Sequence, residues 1–255
     1  DIIDNKSELS SKIKNAKKPI IILGQSSLKL KSSKYIFEEL KNYLKSNDKI
    51  NDDWNSLNVL SNHASTVGSY DLKIINFENE GNTTLKKIKN NYFDILFLFG
   101  QDNPNFEKKN EFIIYIGSHG DKGAEIADII LPGAAYTEQD GYFTNLEGKI
   151  QKAYKASYPP GHAKEDWEII NNISELLKRK KLYKSKEELI DSMKNYIKLN
   201  VKDQNYQSSY NEFFSEKIIV DPIDYYYTNA IARSSSTMAQ CRNEKLKNKP
   251  TGTDG

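Results

Sequence analysis

In 255 residues the chain carries one cysteine, Cys241, and three histidines, His63, His119 and His162. A lone thiol excludes an internal disulfide framework and points to a reducing compartment. An iron–sulfur cluster generally needs four thiolates, or two thiolates with two imidazoles. Here the four side chains are scattered without ligand spacing, and structural zinc fails for the same reason. No run approaches the roughly 18 apolar residues that cross a bilayer; the most apolar stretches, PIIILG and DILFLFG, have the length of core strands. Charge of one sign is also missing: 37 basic residues face 35 acidic ones, a net +2. That balance gives no electrostatic case for nucleic acid or anionic lipid. The first residues, DIIDNKSELS, show neither an initiator methionine nor an apolar signal region, and read as a processed chain or one piece of a longer one.

What is present is a polar α/β pattern, with mean hydropathy −0.72. Ser7 caps a helix with Leu9, Ile13 and Ala16 on one face, ended by Pro19. Strands are predicted at 20–23, 57–60, 94–99, 112–116 and 126–131, with helices over 32–45 and after Thr83 or Thr84. Continuous apolar strands joined by helices describe a mostly parallel, doubly wound sheet with helices on both faces. This α/β domain is expected over residues 1–160. Residues 161–200 then read as a helical segment, with Ser185-Lys186-Glu187-Glu188 as a capping box. Residues 201–255 read as an extended C-terminal segment and tail, relieved by Ile218-Ile219-Val220 and a tyrosine cluster.

Candidate chemistry is sparse. The turn Gly24-Gln25-Ser26-Ser27 follows the first strand, where open α/β sheets bind ligands, but it is neither G-x-G-x-x-G nor a phosphate-binding lysine loop. A turn requirement is the preferred reading. Gly117-Ser118-His119-Gly120-Asp121-Lys122-Gly123 could orient an imidazole beside a carboxylate for acid–base work. The plainer reading, a glycine-rich connection bonded to its own backbone, is favoured. Tyr225-Tyr226-Tyr227 and Trp167 lie outside any basic stripe, so protein contact is preferred to base stacking. Asp52-Asp53 and Glu187-Glu188 read as surface charge, Arg233-Ser234-Ser235-Ser236 as only superficially a kinase site, and Cys241 as inert. The expected list of catalytic, cofactor-binding and metal-binding residues is empty.

The stretch ADIILPGAAYTEQDGYFTNLEGKIQ (127–151) resembles a late segment of molybdopterin-type oxidoreductases. The closer resemblance is to the large iron–sulfur subunit family of respiratory complex I, NADH:ubiquinone oxidoreductase. It runs in order through KNAKKPIIILGQSSL, DWNSLNVLSNHASTVGSYDL, DILFLFGQD, IIYIGSHGDKGAEIADIILPGAAYTE, PPGHAKEDWEII and YYYTNAIARSSSTMAQC. The resemblance implies the C-terminal half of such a subunit, a branch without pterin or metal. Iron–sulfur clusters are then expected in the missing N-terminal half or a partner chain, and this chain is a structural, non-catalytic part of the peripheral arm. Glu147 and Gly148 would serve turn geometry and interface packing, not catalysis. The implied partners are other peripheral-arm subunits, with no nucleic acid and no direct membrane span. The implied place is the matrix side of the mitochondrial inner membrane, or else the cytoplasmic face of a bacterial inner membrane. Residues 162–200 read as helices and not as the strands of a β-barrel that would close over a pterin. The alternative is a free-standing nucleotide- or pterin-binding α/β enzyme using a crevice at Gly24 and the His119 loop.

Overall fold

The structure is a computed structural model and describes residues 1–74, 83–200, 213–217 and 224–247. The chain sorts into two compact units. The first comprises residues 1–74 with 143–151, 197–200 and 213–217; the second comprises 83–142, 152–196 and 224–247.

In the first unit, helix α1 (Glu8–Asn15) opens on Ser7, whose hydroxyl accepts from the Leu9 amide at 3.2 Å. Its last turn is held by Lys49, whose Nζ donates to the Ala16 carbonyl at 2.8 Å. Strand β1 (Ile21–Gly24) lies parallel to β2 (Leu57–Leu60), Ile21 opposite Leu57. Between them runs α2 (Ser33–Ser46). Its apolar side packs against the strands: Leu44 and Tyr43 are buried with Leu57, and Ile13, Ile21, Leu23, Phe37 and Leu40 close around them. A short helix, α3 (Thr66–Asp71), follows β2; the sequence pattern gave no sign of it.

In the second unit, α4 (Thr83–Lys89) leads into a parallel sheet of β3 (Ile95–Phe99), β4 (Phe112–Gly117) and β5 (Ile129–Pro132), in that order. All three parallel pairings therefore agree with the predicted α/β class, and the described residues divide the five strands between two sheets. Strand β5 begins at Ile129, later than the predicted 126, because α5 (Lys122–Glu125) ends on Ile126, which serves as its cap. Asp128 fixes the start of β5: its amide donates to the Ile113 carbonyl at 2.8 Å and its carboxylate accepts from the Ile113 amide at 2.7 Å. The Lys108 ammonium and that amide hold the Asp128 carboxyl below its ordinary value.

A hairpin, β6 (Gly141–Thr144) and β7 (Ile150–Ala153), follows, and the division between the units falls inside it. Helix α6 (Asp166–Leu176) and α7 (Lys186–Asn200) are joined by a loop pinned on buried Asn171. Its Oδ1 accepts from the Leu182 and Tyr183 amides at 3.0 and 3.2 Å, and its Nδ2 donates to the Tyr183 carbonyl at 2.8 Å.

Half of the predicted capping box is present at α7. The Ser185 hydroxyl accepts from the Glu188 amide at 3.3 Å, while the Glu188 carboxylate reaches back one residue further, to the Lys184 amide at 2.7 Å. Ser185→Ala is expected to cost about 1 kcal/mol, the usual worth of an N-cap hydroxyl. A urea midpoint that does not move would show that the helix start is held by Glu188 alone.

Two helices, α8 (Ala230–Ser234) and α9 (Ser236–Lys247), stand in the stretch read as extended. The cause is local capping that carries no periodic apolar signal. Asn229 Oδ1 accepts from the Ala232 amide at 2.9 Å, and Ser235 Oγ from the Met238 amide at 3.3 Å. Ile218 to Val220 lie outside the described residues.

Candidate functional site

The predicted candidates fall apart geometrically. Gly24 and His63 belong to the first unit, and His119, His162 and Cys241 to the second. Among the described residues no three His, Cys, Asp or Glu side chains converge as a metal site. The Gly24 turn folds as a 3₁₀ turn over Gln25–Lys29 and spends its polar groups on backbone. Ser27 Oγ donates to the Gly24 carbonyl at 2.7 Å, and Gln25 Oε1 accepts from the Asn62 amide at 2.6 Å. That second bond ties together the carboxyl ends of β1 and β2.

Beside those ends the first unit holds a cleft of about 290 Å³, lined by Ser61, His63, Ala64, Val67, Phe143 to Leu146 and Gln151. The Thr-Asn-Leu-Glu-Gly stretch forms one wall as a tight turn. Asn145 organises it: its Oδ1 accepts from the Glu147 amide at 3.0 Å and the Lys149 amide at 2.9 Å, and its carbonyl from Gly148 at 3.0 Å. Gly148 adopts φ +79°, which an L side chain takes up only with strain. The Glu147 carboxylate accepts from the Asn145 side-chain amide at 3.3 Å. The turn geometry expected here is visible at Gly148, with Asn145 as the residue that builds the turn. Thr144, buried beneath the turn, stands 3.4 Å from where a Cβ on Gly68 would be.

In the second unit the glycine-rich stretch after β4 forms a tight knot. Tyr115, buried, directs its hydroxyl at Asp102 Oδ1, 2.5 Å away, and at the His119 carbonyl, 2.9 Å away. Burial first, then the Asp102 carboxylate, pushes the Tyr115 phenol far above its ordinary value, so it stays a donor. The two components of the predicted pair are engaged elsewhere. His119 Nδ1 meets Ser118 Oγ at 2.9 Å, while Asp121 accepts from the Lys122 amide at 2.9 Å and from Arg233 Nε at 2.5 Å. Burial pushes the Asp121 carboxyl up, but the Lys122 amide and the Arg233 guanidinium outweigh it and hold the group low.

Arg233, which the sequence showed only as part of a superficial kinase-site pattern, has an unforeseen structural role. Its Nη1 also donates to the Tyr227 carbonyl at 3.2 Å, and the Tyr227 ring lies 4.8 Å beneath the Arg242 guanidinium, itself paired with Asp224 at 2.6 Å. Tyr227 is therefore used within the chain, whereas Tyr225 is exposed. Trp167 is half-buried and donates to Glu165 at 3.0 Å. A signal for Arg233 was available. The chain has three arginines against 34 lysines, and arginine supplies a planar, multiply donating group that lysine cannot.

Comparison with known proteins places these features. Residues 2–176 match the family model for molybdopterin oxidoreductase, and residues 192–241 match the model for the C-terminal region of the NADH-ubiquinone oxidoreductase G subunit. The NADH-ubiquinone oxidoreductase 75 kDa subunit of Reclinomonas americana is 36% identical over 256 residues, covering 94% of this chain and 36% of that protein. The NADH-quinone oxidoreductase G subunit of Rickettsia bellii is 38% identical over 242 residues, covering 92% and 34%. The 78 kDa mitochondrial subunit of Candida albicans is 34% identical over 254 residues, covering 91% and 34%. The chain thus spans about a third of the length of these curated relatives.

The family's pterin group can be tested against the cleft. Among the described residues its lining carries no Lys or Arg for a dinucleotide's diphosphate. Its volume stands at the bottom of the roughly 300–1,000 Å³ of small-molecule sites, and the chain's one thiol is exposed on α9 in the other unit. The lining of this cleft does not fit that group. Within this chain, Arg233 and Asp121 join the two matched segments. The chain belongs to the molybdopterin oxidoreductase family and aligns there with the 75 kDa-type large subunits of NADH-quinone oxidoreductase.

Proposed function

We propose that this chain is a structural, non-catalytic component of the peripheral arm of NADH:ubiquinone oxidoreductase, respiratory complex I. In this reading it supports neighbouring chains whose iron–sulfur clusters carry electrons from NADH to ubiquinone, and holds no cofactor of its own. It corresponds to the C-terminal part of a divided subunit, about a third of the relatives' length and not the half expected from the sequence. Its partners are other peripheral-arm subunits, above all the polypeptide bearing the cluster-binding half. The arm lies on the matrix side of the mitochondrial inner membrane, or on the cytoplasmic face in a bacterium. Among the described residues no helix is long and apolar enough to cross a membrane.

One observation carries the proposal. Relatives named as NADH-ubiquinone or NADH-quinone oxidoreductase subunits cover both family-matched segments, and the 2.5 Å bond from Arg233 to Asp121 links the later segment to the earlier one within a single unit. The domain reading, an α/β body over 1–160 followed by helical and C-terminal segments, belongs to the same proposal.

Affinity purification of the epitope-tagged chain from the cells that make it tests this. Complex I subunits are expected at equal stoichiometry, and the washed, isolated chain is expected to give no iron–sulfur absorption and no molybdenum. Stoichiometric iron or molybdenum on the isolated chain would overturn the non-catalytic assignment. Complex I preparations that lack the chain would overturn the structural one.

A further inference from the structure

Helix α2 starts without a cap of its own. Its N-cap residue, Ser32, sits at φ −80° and ψ 3° and makes no side-chain bond to the helix. Ser7 and Asn229, which bond the helices they cap, have extended backbones with ψ 143° and 171°, the usual conformation for that role. Ser32 is nevertheless 1% exposed. What holds it comes from 182 positions away.

Residues 213–217 lie against the start of α2, within the first unit. The Ser32 hydroxyl donates to the Phe214 carbonyl at 3.0 Å and accepts from the Phe214 amide at 2.7 Å. One residue earlier, the Lys31 amide donates to Glu216 Oε2 at 2.8 Å. That bond sets a carboxylate at the positive end of the helix dipole. The Phe213 and Tyr35 rings meet with centroids 5.8 Å apart. The later segment therefore supplies from outside what a capping side chain supplies from within. Little apolar surface goes with these bonds, since Phe213 and Phe214 keep 63% and 45% of their exposure. A segment held by a few bonds and little buried area belongs to the low-stability end of a fold, where local opening is easiest.

Opening also returns something to the helix. Without Phe214 the Ser32 hydroxyl loses both partners, and a hydroxyl left unpaired in a buried place is costly. Rotation of ψ at Ser32 into the extended region turns Oγ toward the Tyr35 amide, the third helical position, where a serine cap bonds. One hydroxyl thus serves two mutually exclusive arrangements, and the bond made in the second offsets part of the loss of the first.

We propose that Phe213 to Glu216 form a releasable strap that caps α2 from outside, and that on release the helix start passes to the hydroxyl of Ser32. Both partners in this exchange lie in the first unit, and the proposal stands apart from the complex I assignment.

Amide exchange followed by NMR on the full chain, with limited proteolysis, tests this. In the native chain the Lys31 and Phe214 amides are expected to exchange together, at least tenfold faster than the amide of Leu44, which is buried inside α2. Phe214→Pro deletes the amide that donates to Ser32. Cleavage after Glu216 by a glutamyl endopeptidase is then expected to accelerate at least tenfold, with the Leu44 amide still protected. In the same variant the Tyr35 amide is expected to exchange at least tenfold more slowly, as Ser32 takes over the cap. Adding Ser32→Ala is expected to abolish that slowing. Cleavage of Phe214→Pro at the native rate overturns the strap, because these bonds then do not hold it. Loss of protection at Leu44 together with Lys31 also overturns it, because the segment is then an integral part of the unit. A Tyr35 amide that exchanges no more slowly in Phe214→Pro overturns the transfer of the cap to Ser32.

Discussion

Replacing Gly123 by alanine is expected to remove about 3 kcal/mol or more of stability, at the top of the usual range for overpacking a core. A Cβ at this position would lie 2.3 Å from the Gln101 carbonyl oxygen and 3.1 Å from the Tyr115 ring. The first neighbour is backbone and has little room to retreat. The next residue, Asp102, accepts the Gly123 amide at 2.9 Å through its own carbonyl and the Tyr115 hydroxyl through its carboxylate. Moving the 101–102 peptide therefore breaks the contacts that hold α5 against β3. Gly117→Ala strikes the same ring from the other side, with its Cβ 2.2 Å from the Tyr115 hydroxyl. Here the ring can swing only by giving up its bonds to Asp102 and the His119 carbonyl, at about 1–3 kcal/mol for each buried group left unpaired. Gly120 is the internal control: nothing lies within 4 Å of its hypothetical Cβ, so Gly120→Ala should be nearly silent. Urea unfolding followed by circular dichroism reads all three. If Gly123→Ala and Gly120→Ala unfold at the same denaturant concentration, the knot around Tyr115 does not exist as described.

Those glycines show where sequence reasoning reached and where it stopped. Strands at 57–60 and 95–99, and helices capped by Ser7 and Ser185, were legible because apolar periodicity and N-cap chemistry are local. The glycine-rich connection was recognisable as a turn that bonds to itself. What was hidden is that two of its glycines are small because one buried tyrosine fills the space they leave. No spacing rule links position 115 to 102 or 123. Helices α8 and α9 were missed for a related reason: α9 has no buried residue and hence no apolar stripe, while α8 is a single short turn held by Asn229 and by a bond 112 positions away. The division of the strands between two sheets depends on long-range pairing that the strand pattern does not encode.

The pair of Arg233 and Asp121 is expected to give the second large effect. A fully buried ion pair that loses one member costs roughly 3–5 kcal/mol. Both side chains here keep about a fifth of their exposure, so solvent screening lowers the expectation for Arg233→Ala to about 2 kcal/mol. Arg233→Lys should recover less than half of it. A lysine keeps the charge but cannot donate at once to Asp121 and to the Tyr227 carbonyl, as the guanidinium does through Nε and Nη1. A double-mutant cycle with Asp121→Asn isolates the pair, and a coupling of about 1–2 kcal/mol is expected for groups in direct contact. The pH dependence supplies a check that simple loss of packing would not pass. The folded Asp121 carboxyl is held below its ordinary value. Its contribution is therefore complete above the unfolded value of about 3.9 and is lost as pH falls through the lower, folded value. The stability gap between the native chain and Arg233→Ala should be constant from pH 7 to 5 and close in stronger acid. A gap that persists unchanged there would assign the loss to the arginine's aliphatic stem. If it closes, the ionised pair is what fastens α8, and the 192–241 segment that contains it, to the loop after β4. The same substitution should then loosen the join between the two family-matched segments before it disturbs either sheet, seen as faster deuterium uptake at 224–234 while the β4 amides stay protected.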